Sequence, residues 1–199
     1  AENLVPVTLE LGGKSPTFIG RSANKDLAGQ RVAMGKLMNA GQICLAPDYL
    51  LVPDDQEAAV IDGVAKGAAA LYPTLLANDD YTSVVNTRNY DRLQSYLADA
   101  RDKGAEVMEV NPGNEDFASS NGHKMPLHIV RGATDEMKVM QEEIFGPILP
   151  VRTYRTIDDA IDYVNAHDRP LGLYYFGQDR SEEERVLTRT ISGGVTVND

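Results

Sequence analysis

The chain has 199 residues, enough for one domain with a substantial core, and 42% of them are hydrophobic while 25% are charged. A formal charge of −11 at pH 7 argues against DNA, RNA or acidic membrane surfaces as partners, because like charges repel. No apolar run approaches the roughly 20 residues that span a bilayer, and the first four residues lack the basic and apolar parts of a signal peptide. The missing initiator Met leads us to expect an excised or processed piece of a longer protein.

The first half of the chain predicts alternating strands and helices. Residues 5–11 alternate in polarity and predict a strand that ends at Gly12 and Gly13, followed by a short apolar run at Phe18 and Ile19. Asn24 or Asp26 is expected to cap a helix that runs to about residue 39. Further elements are predicted as a strand at 49–52, a helix that starts at 54–55 and ends at 72–73, and a helix at 87–103.

The second half continues this alternation. Residues 111–124 are rich in Gly, Asn and Ser and predict a mobile surface loop. Thr156 or Asp158 should cap one helix, and Ser181 should cap another through a capping box with Glu184. Strands are predicted at 106–110, 125–130, 148–151, 171–177 and 194–197. The pattern predicts an α/β fold with a layered, mainly parallel open sheet flanked by helices.

The only cysteine lies in the segment NAGQICLAPDY, residues 39–49. A lone cysteine is often a small buried hydrophobe. Here, however, Gly41 can take the positive φ that ends a helix, Pro47 stops a helix from continuing, and a buried strand follows. Cys44 is therefore expected in a short connection between packed elements, where reactive groups tend to be presented.

Two further motifs accompany this segment: LELGGK at residues 9–14 and EEIFGP at residues 142–147. Together, in this order, the three resemble the conserved segments of the aldehyde dehydrogenase superfamily, along nearly the whole chain. The APDY tail after Cys44 is most similar to the branch that contains class 3, fatty-aldehyde and coniferyl-aldehyde dehydrogenases.

The resemblance implies a role for each matching residue. Cys44 corresponds to the nucleophile and Glu10 to the general base, while Glu143 corresponds to the residue that hydrogen-bonds the nicotinamide ribose. Phe145 matches the aromatic ring beside the nicotinamide, and Leu11 matches a further cofactor-binding position. Without the resemblance, Glu10 and Glu143 would be interpreted as surface acids and Phe145 as a core aromatic.

The resemblance further implies that residues 1–199 form a single catalytic domain, without the family's cofactor-binding domain or its C-terminal segment. Neither a P-loop nor a G-x-G-x-x-G motif occurs in the sequence, so it carries no phosphate-binding loop of its own. The expected cofactor is NAD or NADP, and the expected substrate is an aldehyde, aromatic such as coniferyl aldehyde or fatty. A homo-oligomer, most simply a dimer, and a cytoplasmic location are also expected, since a single cysteine is compatible with a reducing compartment.

Two other classes of function stay open on the sequence. A cysteine-dependent esterase or acyltransferase could use Cys44 and Glu10 without a redox cofactor, although it would normally need a histidine base. His123, His128 and His167 lie in no recognisable catalytic motif and have no metal-ligand spacing. The third possibility is a non-catalytic assembly domain.

Overall fold

A computed structural model describes residues 6, 8, 12–120 and 122–199. The described residues form one seven-stranded sheet in the order β3-β4-β5-β2-β1-β6-β7. Every neighbouring pair is parallel except β3 and β4, so the predicted fold class is confirmed. The strands are β1 Pro16–Ile19, β2 Tyr49–Pro53, β3 Glu106–Val110, β4 Leu127–Arg131, β5 Ile148–Tyr154, β6 Gly172–Phe176 and β7 Gly194–Val197.

Helices cover both faces of this sheet, and they are α1 Lys25–Leu37, α2 Glu57–Leu71, α3 Thr87–Asp102, α4 Lys138–Gln141, α5 Ile157–Asn165 and α6 Arg180–Arg189. One apolar core joins Ile19 and Leu50 of the sheet to α1 and α2. The other joins Phe18 and Leu51, their neighbours on the opposite face, to α3, α4, α5 and α6. Because both faces are buried, the central strands are continuous apolar runs rather than alternating ones.

The helices α1 and α2 approach each other closely through glycines. A Cβ on Gly63 would lie 2.6 Å from the carbonyl oxygen of Lys25, and a Cβ on Gly67 would lie 2.8 Å from the Cα of Gln30. Gly29 faces Gly63 across the same contact. This contact lets the first helix, which leads directly to Cys44, pack firmly on its neighbour.

Several predicted boundaries are confirmed and two helix starts are wrong. Asn24 caps α1 by accepting from the N–H of Leu27, and Thr156 caps α5 in a capping box. The second helix begins at Glu57 instead of 54–55, because Asp54 and Asp55 turn away to pair with Arg21.

The cap of α6 is Asp179 and not Ser181. Its carboxylate accepts from the N–H groups of Ser181 and Glu182 at 2.8 and 3.3 Å, and a carboxylate suits the positive end of a helix better than a hydroxyl. Helix α4 was not predicted, since its single turn is too short to show a helical period. The predicted strand at residues 5–11 lies largely outside the described residues. None of the described helices is long and apolar enough to cross a membrane.

Replacing Gly63 by Ala tests the close contact between α1 and α2. Alanine raises helix propensity by about 1 kcal/mol relative to glycine, so an exposed site would be stabilised. At Gly63 we expect a net loss of about 1–3 kcal/mol in the free energy of unfolding, measured with urea, because the added methyl overlaps the Lys25 carbonyl. Gly194→Ala is the control, since its Cβ would meet nothing within 4 Å. A Gly63→Ala variant as stable as the unmodified chain would contradict the packing described here.

Candidate active site

Cys44 is exposed in a tight turn that follows the end of α1. The N–H of Ala46 donates to the carbonyl of Ile43 at 3.0 Å, which places Cys44 and Leu45 at the two central positions of a β-turn. The alternative of a small buried hydrophobe is therefore wrong for this cysteine. The turn presents the thiol at the surface between a helix and a buried strand.

Three consecutive left-handed residues precede this turn. The φ angles of Asn39, Ala40 and Gly41 are 51°, 54° and 71°, which confirms the positive φ predicted at Gly41. Each non-glycine residue in this region costs about 1–2 kcal/mol. The cost is offset locally, because the side-chain amide of Asn39 donates to the carbonyl of Gln42 at 3.1 Å and that of Gln42 donates back to the Asn39 carbonyl at 3.0 Å.

Gln42 also attaches the turn to the rest of the protein. Its amide donates to the carbonyl of Ser83 at 3.0 Å, and its oxygen accepts from the N–H of Val85 at 2.8 Å. A Cβ on Gly41 would lie 2.5 Å from the carbonyl oxygen of Gly146, so this position has room only for glycine. The strained segment before Cys44 is thus held from two sides.

The three sequence motifs meet at Asp48. Its carboxylate is buried and forms an ion pair with Lys14 of the LELGGK motif. Its other oxygen accepts from the N–H of Ile144, in the EEIFGP motif, at 3.1 Å. A buried carboxylate that lost these partners would be strongly destabilising, so the contacts fix the relative position of the three segments.

Lys14 adds two contacts to the same junction. Its ammonium donates to the carbonyls of Val139 and Glu142 at 2.8 and 2.9 Å. These carbonyls lie at the two ends of the short helix α4, just before Glu143. Lys14 therefore positions the backbone that carries the EEIFGP motif.

A second lysine lies near this junction, on the inner face of α1. Lys36 is fully buried, and its ammonium has no hydrogen-bond partner among the described residues. Burial lowers the pKa of Lys36 to about 8, although the negative charge of Asp48 opposes this change. Lys36 thus adds a titratable positive charge next to the anion that joins the motifs.

Glu143 is half-buried and its carboxylate lies directly against Gly12. Any side chain at Gly12 would overlap the carboxylate, so the glycine leaves the space that Glu143 fills. Burial raises the pKa of Glu143, and the N–H of Gly13 beside it partly offsets this effect. The carboxylate borders a cavity of about 430 Å³ that also contacts Lys14 and Tyr49.

Phe145 has a φ of +48° and 41% of its surface is exposed. Such a backbone conformation is a genuine outlier for a bulky residue and needs support from its surroundings. Arg92 of α3 provides it by donating to the carbonyl of Ile144 at 2.7 Å, and Leu93 fits against Gly146. The ring is presented outward, so the interpretation of Phe145 as a core aromatic is wrong.

An apolar groove of about 290 Å³ lies near the nucleophile turn and reaches Pro47 but not Cys44 itself. Its walls are mostly apolar side chains of α1 and β6, together with Pro47, three residues after Cys44. They include Met34, Met38, Tyr174 and Phe176. Met34 and Met38 are exposed to 43% and 47%, so the groove has an open apolar wall.

Asp48 bonds the segment that carries Cys44 to the backbone between Glu143 and Phe145, while Glu10 and Leu11 lie outside the described residues. Sequence reasoning missed Asp48 itself, although a charged residue directly before a wholly apolar strand was a usable signal. It also missed the two partners of Asp48, because nothing local links positions 34 and 96 residues apart.

The three histidines are engaged elsewhere. The rings of His128 and His167 bond the carbonyls of Pro126 and Tyr163, and that of His123 bonds the hydroxyl of Thr87. None of them forms a hydrogen bond with Cys44. In the described part of the chain, no group of three or more His, Cys, Asp or Glu side chains could hold a metal ion.

Comparison with known proteins agrees with this geometry. A probable coniferyl aldehyde dehydrogenase of Caulobacter vibrioides is 57% identical over 199 residues, which is 100% of this chain and 41% of the relative. The substrate-bound structure of Staphylococcus aureus AldH matches with a TM-score of 0.88 and 37% identity, over 100% of this chain and 42% of that one. An NADP-dependent glyceraldehyde-3-phosphate dehydrogenase of Bacillus halodurans, solved with NADP, matches with a TM-score of 0.86 and 26% identity, over 98% and 40% of the two chains.

The chain thus spans about two fifths of the length of the curated relatives that it matches. The sequence model of the aldehyde dehydrogenase family matches residues 1–199, the whole of the chain. Together with the three motifs that meet at Asp48, this match shows that the chain belongs to the aldehyde dehydrogenase family.

Proposed function

We propose that residues 1–199 form one catalytic domain of an NAD- or NADP-dependent aldehyde dehydrogenase. The observation that supports the proposal is the junction at Asp48, where the segment of the exposed Cys44 is bonded to Ile144, the residue between Glu143 and Phe145. A domain that served only for assembly would have no need of a strained turn that presents a thiol.

Cys44 acts as the nucleophile in this proposal. Its thiolate attacks the aldehyde carbonyl carbon, and a new carbon–sulfur bond leaves negative charge on the oxygen. The backbone N–H of Cys44 has no hydrogen-bond partner in the described residues, so it is free to donate to that oxygen as charge develops. The turn thus combines the nucleophile with one oxyanion donor.

The residues around Glu143 fit a nicotinamide cofactor. The carboxylate of Glu143 packs against Gly12 and borders a cavity, and such a group can accept hydrogen bonds from ribose hydroxyls. Phe145, two residues further along the chain, presents an exposed apolar ring, and Leu11 is the third position proposed to contact the cofactor. When bound, NAD or NADP would accept the hydride and leave Cys44 as a thioester. The phosphates would have to be held by other parts of the protein.

Glu10 is proposed as the general base for the second half of the reaction. Hydrolysis of the thioester needs a water molecule that is deprotonated as it attacks. Glu10 supplies the carboxylate of the LELGGK motif and lies four residues before Lys14. The position of Lys14 at the junction is fixed by its ion pair with Asp48. Its task is separate from hydride transfer, so removal of the base should affect only the release of the acyl group.

The substrate is proposed to be an aldehyde with an apolar, preferably aromatic body. The groove next to the cysteine turn is lined by Met34, Met38 and Tyr174, and methionine and tyrosine side chains pack well against aromatic rings. The coniferyl aldehyde named for the Caulobacter relative has such a ring. A fatty aldehyde is the second candidate for the same apolar groove.

Assembly as a homodimer and a cytoplasmic location complete the proposal. Among the described strands, β7 lies at the edge of the sheet, and the outer backbone groups of an edge strand are a template for another strand. Val195 of this strand and Ile191 before it expose 45% and 59% of their surfaces. An exposed nucleophilic thiol stays reduced in the cytoplasm, which favours that compartment.

The reaction can be tested in a chimera in which this chain replaces the matching region of the Caulobacter relative. We expect aldehyde-dependent NADH formation, and Glu10→Gln should leave a rapid first turnover but slow the steady rate by about 10²-fold or more, because general-base catalysis typically contributes that much. Stopped-flow absorbance of NADH measures both phases.

Cys44→Ala in the same chimera is the control, and it should show neither the first turnover nor the steady rate. Ester hydrolysis without aldehyde oxidation in the chimera would favour the cysteine hydrolase instead. If Glu10→Gln keeps the unmodified steady rate, the base lies elsewhere.

The dimer can be tested on the chain itself by light scattering over a range of concentrations. We expect a mass that rises toward twice 21.7 kDa, and Val195→Lys should lower the association, since a charge on an edge strand opposes pairing. Leu71→Lys is the matched control, because Leu71 is equally exposed, at 43%, but lies at the end of α2. A monomer at every concentration would contradict association through this edge.

A further inference from the structure

Tyr174 connects the sheet to the nucleophile turn. It lies in β6, where it packs with the apolar core of α1 and α2, while its neighbour Tyr175 points to the opposite face. The hydroxyl of Tyr174 donates to the carbonyl oxygen of Leu45 at 2.6 Å, across 129 residues of sequence. This bond holds the residue directly after Cys44.

Gly172 provides a second contact between β6 and the turn. A Cβ at Gly172 would lie 2.9 Å from the Cδ2 of Leu45, so the side chain of Leu45 rests on the glycine. Tyr174 thus bonds the carbonyl of Leu45, and Gly172 contacts the side chain of Leu45. Leu45, the second central residue of the β-turn, is thereby docked on a strand of the sheet through both its backbone and its side chain.

The pKa of the Tyr174 hydroxyl also depends on the charge of the Cys44 thiol. Burial raises the pKa of Tyr174, and a negative charge on Cys44 raises it further. The hydroxyl therefore stays protonated while Cys44 is a thiolate, and it remains a hydrogen-bond donor throughout. In addition, the ring forms part of the groove proposed for the apolar part of the substrate.

We propose that Tyr174 is a positioning residue for the nucleophile. Its hydroxyl fixes the Leu45 carbonyl and so sets the direction in which Cys44 presents its sulfur and its backbone N–H to a carbonyl substrate. This inference rests on the proposed function, in which Cys44 is the nucleophile.

Two reagents distinguish the direction of the Cys44 thiol from its exposure, and both can be applied to the chain itself. In p-nitrophenyl acetate, the thiolate attacks the ester carbonyl, the sulfur–acyl bond forms and p-nitrophenolate leaves, so the backbone N–H and the sulfur must both face the carbonyl. In iodoacetamide, the sulfur–carbon bond forms as iodide leaves, and no oxyanion needs support. The rate of acylation therefore depends on how the thiolate and the backbone N–H of Cys44 are positioned, whereas the rate of alkylation depends only on an accessible thiolate.

Tyr174→Phe removes the hydroxyl and keeps the ring. We expect acylation to slow about tenfold, the equivalent of 1.4 kcal/mol, close to the value of one hydrogen bond, while alkylation changes less than about twofold. Tyr175→Phe is the matched control: it loses a hydrogen bond to Glu182 at 3.2 Å on the other face of the same strand, and both rates should stay unchanged.

Each outcome decides the question. Equal acylation by Tyr174→Phe and the unmodified chain would overturn the inference. A parallel fall of both rates would also overturn it, because Tyr174 would then affect thiolate formation or the fold and not direction. Failure of the proposed function looks different: the unmodified chain would show no more acylation than Cys44→Ala.

Discussion

The carboxylate of Asp48 accepts from Lys14 and from the N–H of Ile144, which lie 34 and 96 residues away in the sequence. Each contact joins the cysteine segment to another motif, and the bond of Lys14 to the Glu142 carbonyl and the close approach of Gly41 to Gly146 reinforce the same junction. Asp48 directly precedes β2, a central strand buried along its whole length, so its position is fixed by the core. The buried side chain of Asp48 therefore links the ordered sheet to the segments that carry the candidate site residues.

Two lysines lie close to the carboxylate of Asp48, and their burial is costly. Lys14 contacts the carboxylate and Lys36 adds a second positive charge from α1, although burial lowers the pKa of Lys36 to about 8. The left-handed residues Asn39 and Ala40 are a further local cost. Strain and buried charge of this kind persist only where the surroundings hold them, and they are common where a site must be held in one geometry. Hydrogen bonds from Gln42 and Tyr174 stabilise the segment around Cys44, and a hydrogen bond from Arg92 stabilises the backbone before Phe145.

The sequence predicted the sheet well because its strands are buried on both faces and appear as short apolar runs bounded by helices. It failed where two neighbouring residues compete for one task. Asp179 and Ser181 can both cap a helix, and the charged Asp179 is the cap of α6. Asp54 and Asp55 could start a helix, but both form ion pairs with Arg21 instead. The positions of Cys44, Glu143 and Phe145 were predictable from their motifs. The contacts of Lys14, Asp48 and Tyr174 were not, since a pairing between distant residues leaves no local pattern.

Whether Asp48 holds the three motifs together can be measured with a double-mutant cycle of Lys14→Met and Asp48→Asn. The free energy of unfolding of the four proteins is measured with urea. Because the ion pair is largely buried and both residues hold the same junction, we expect a coupling energy of about 1–3 kcal/mol. A coupling energy of about 0.3 kcal/mol or less, the range expected of independent sites, would contradict it.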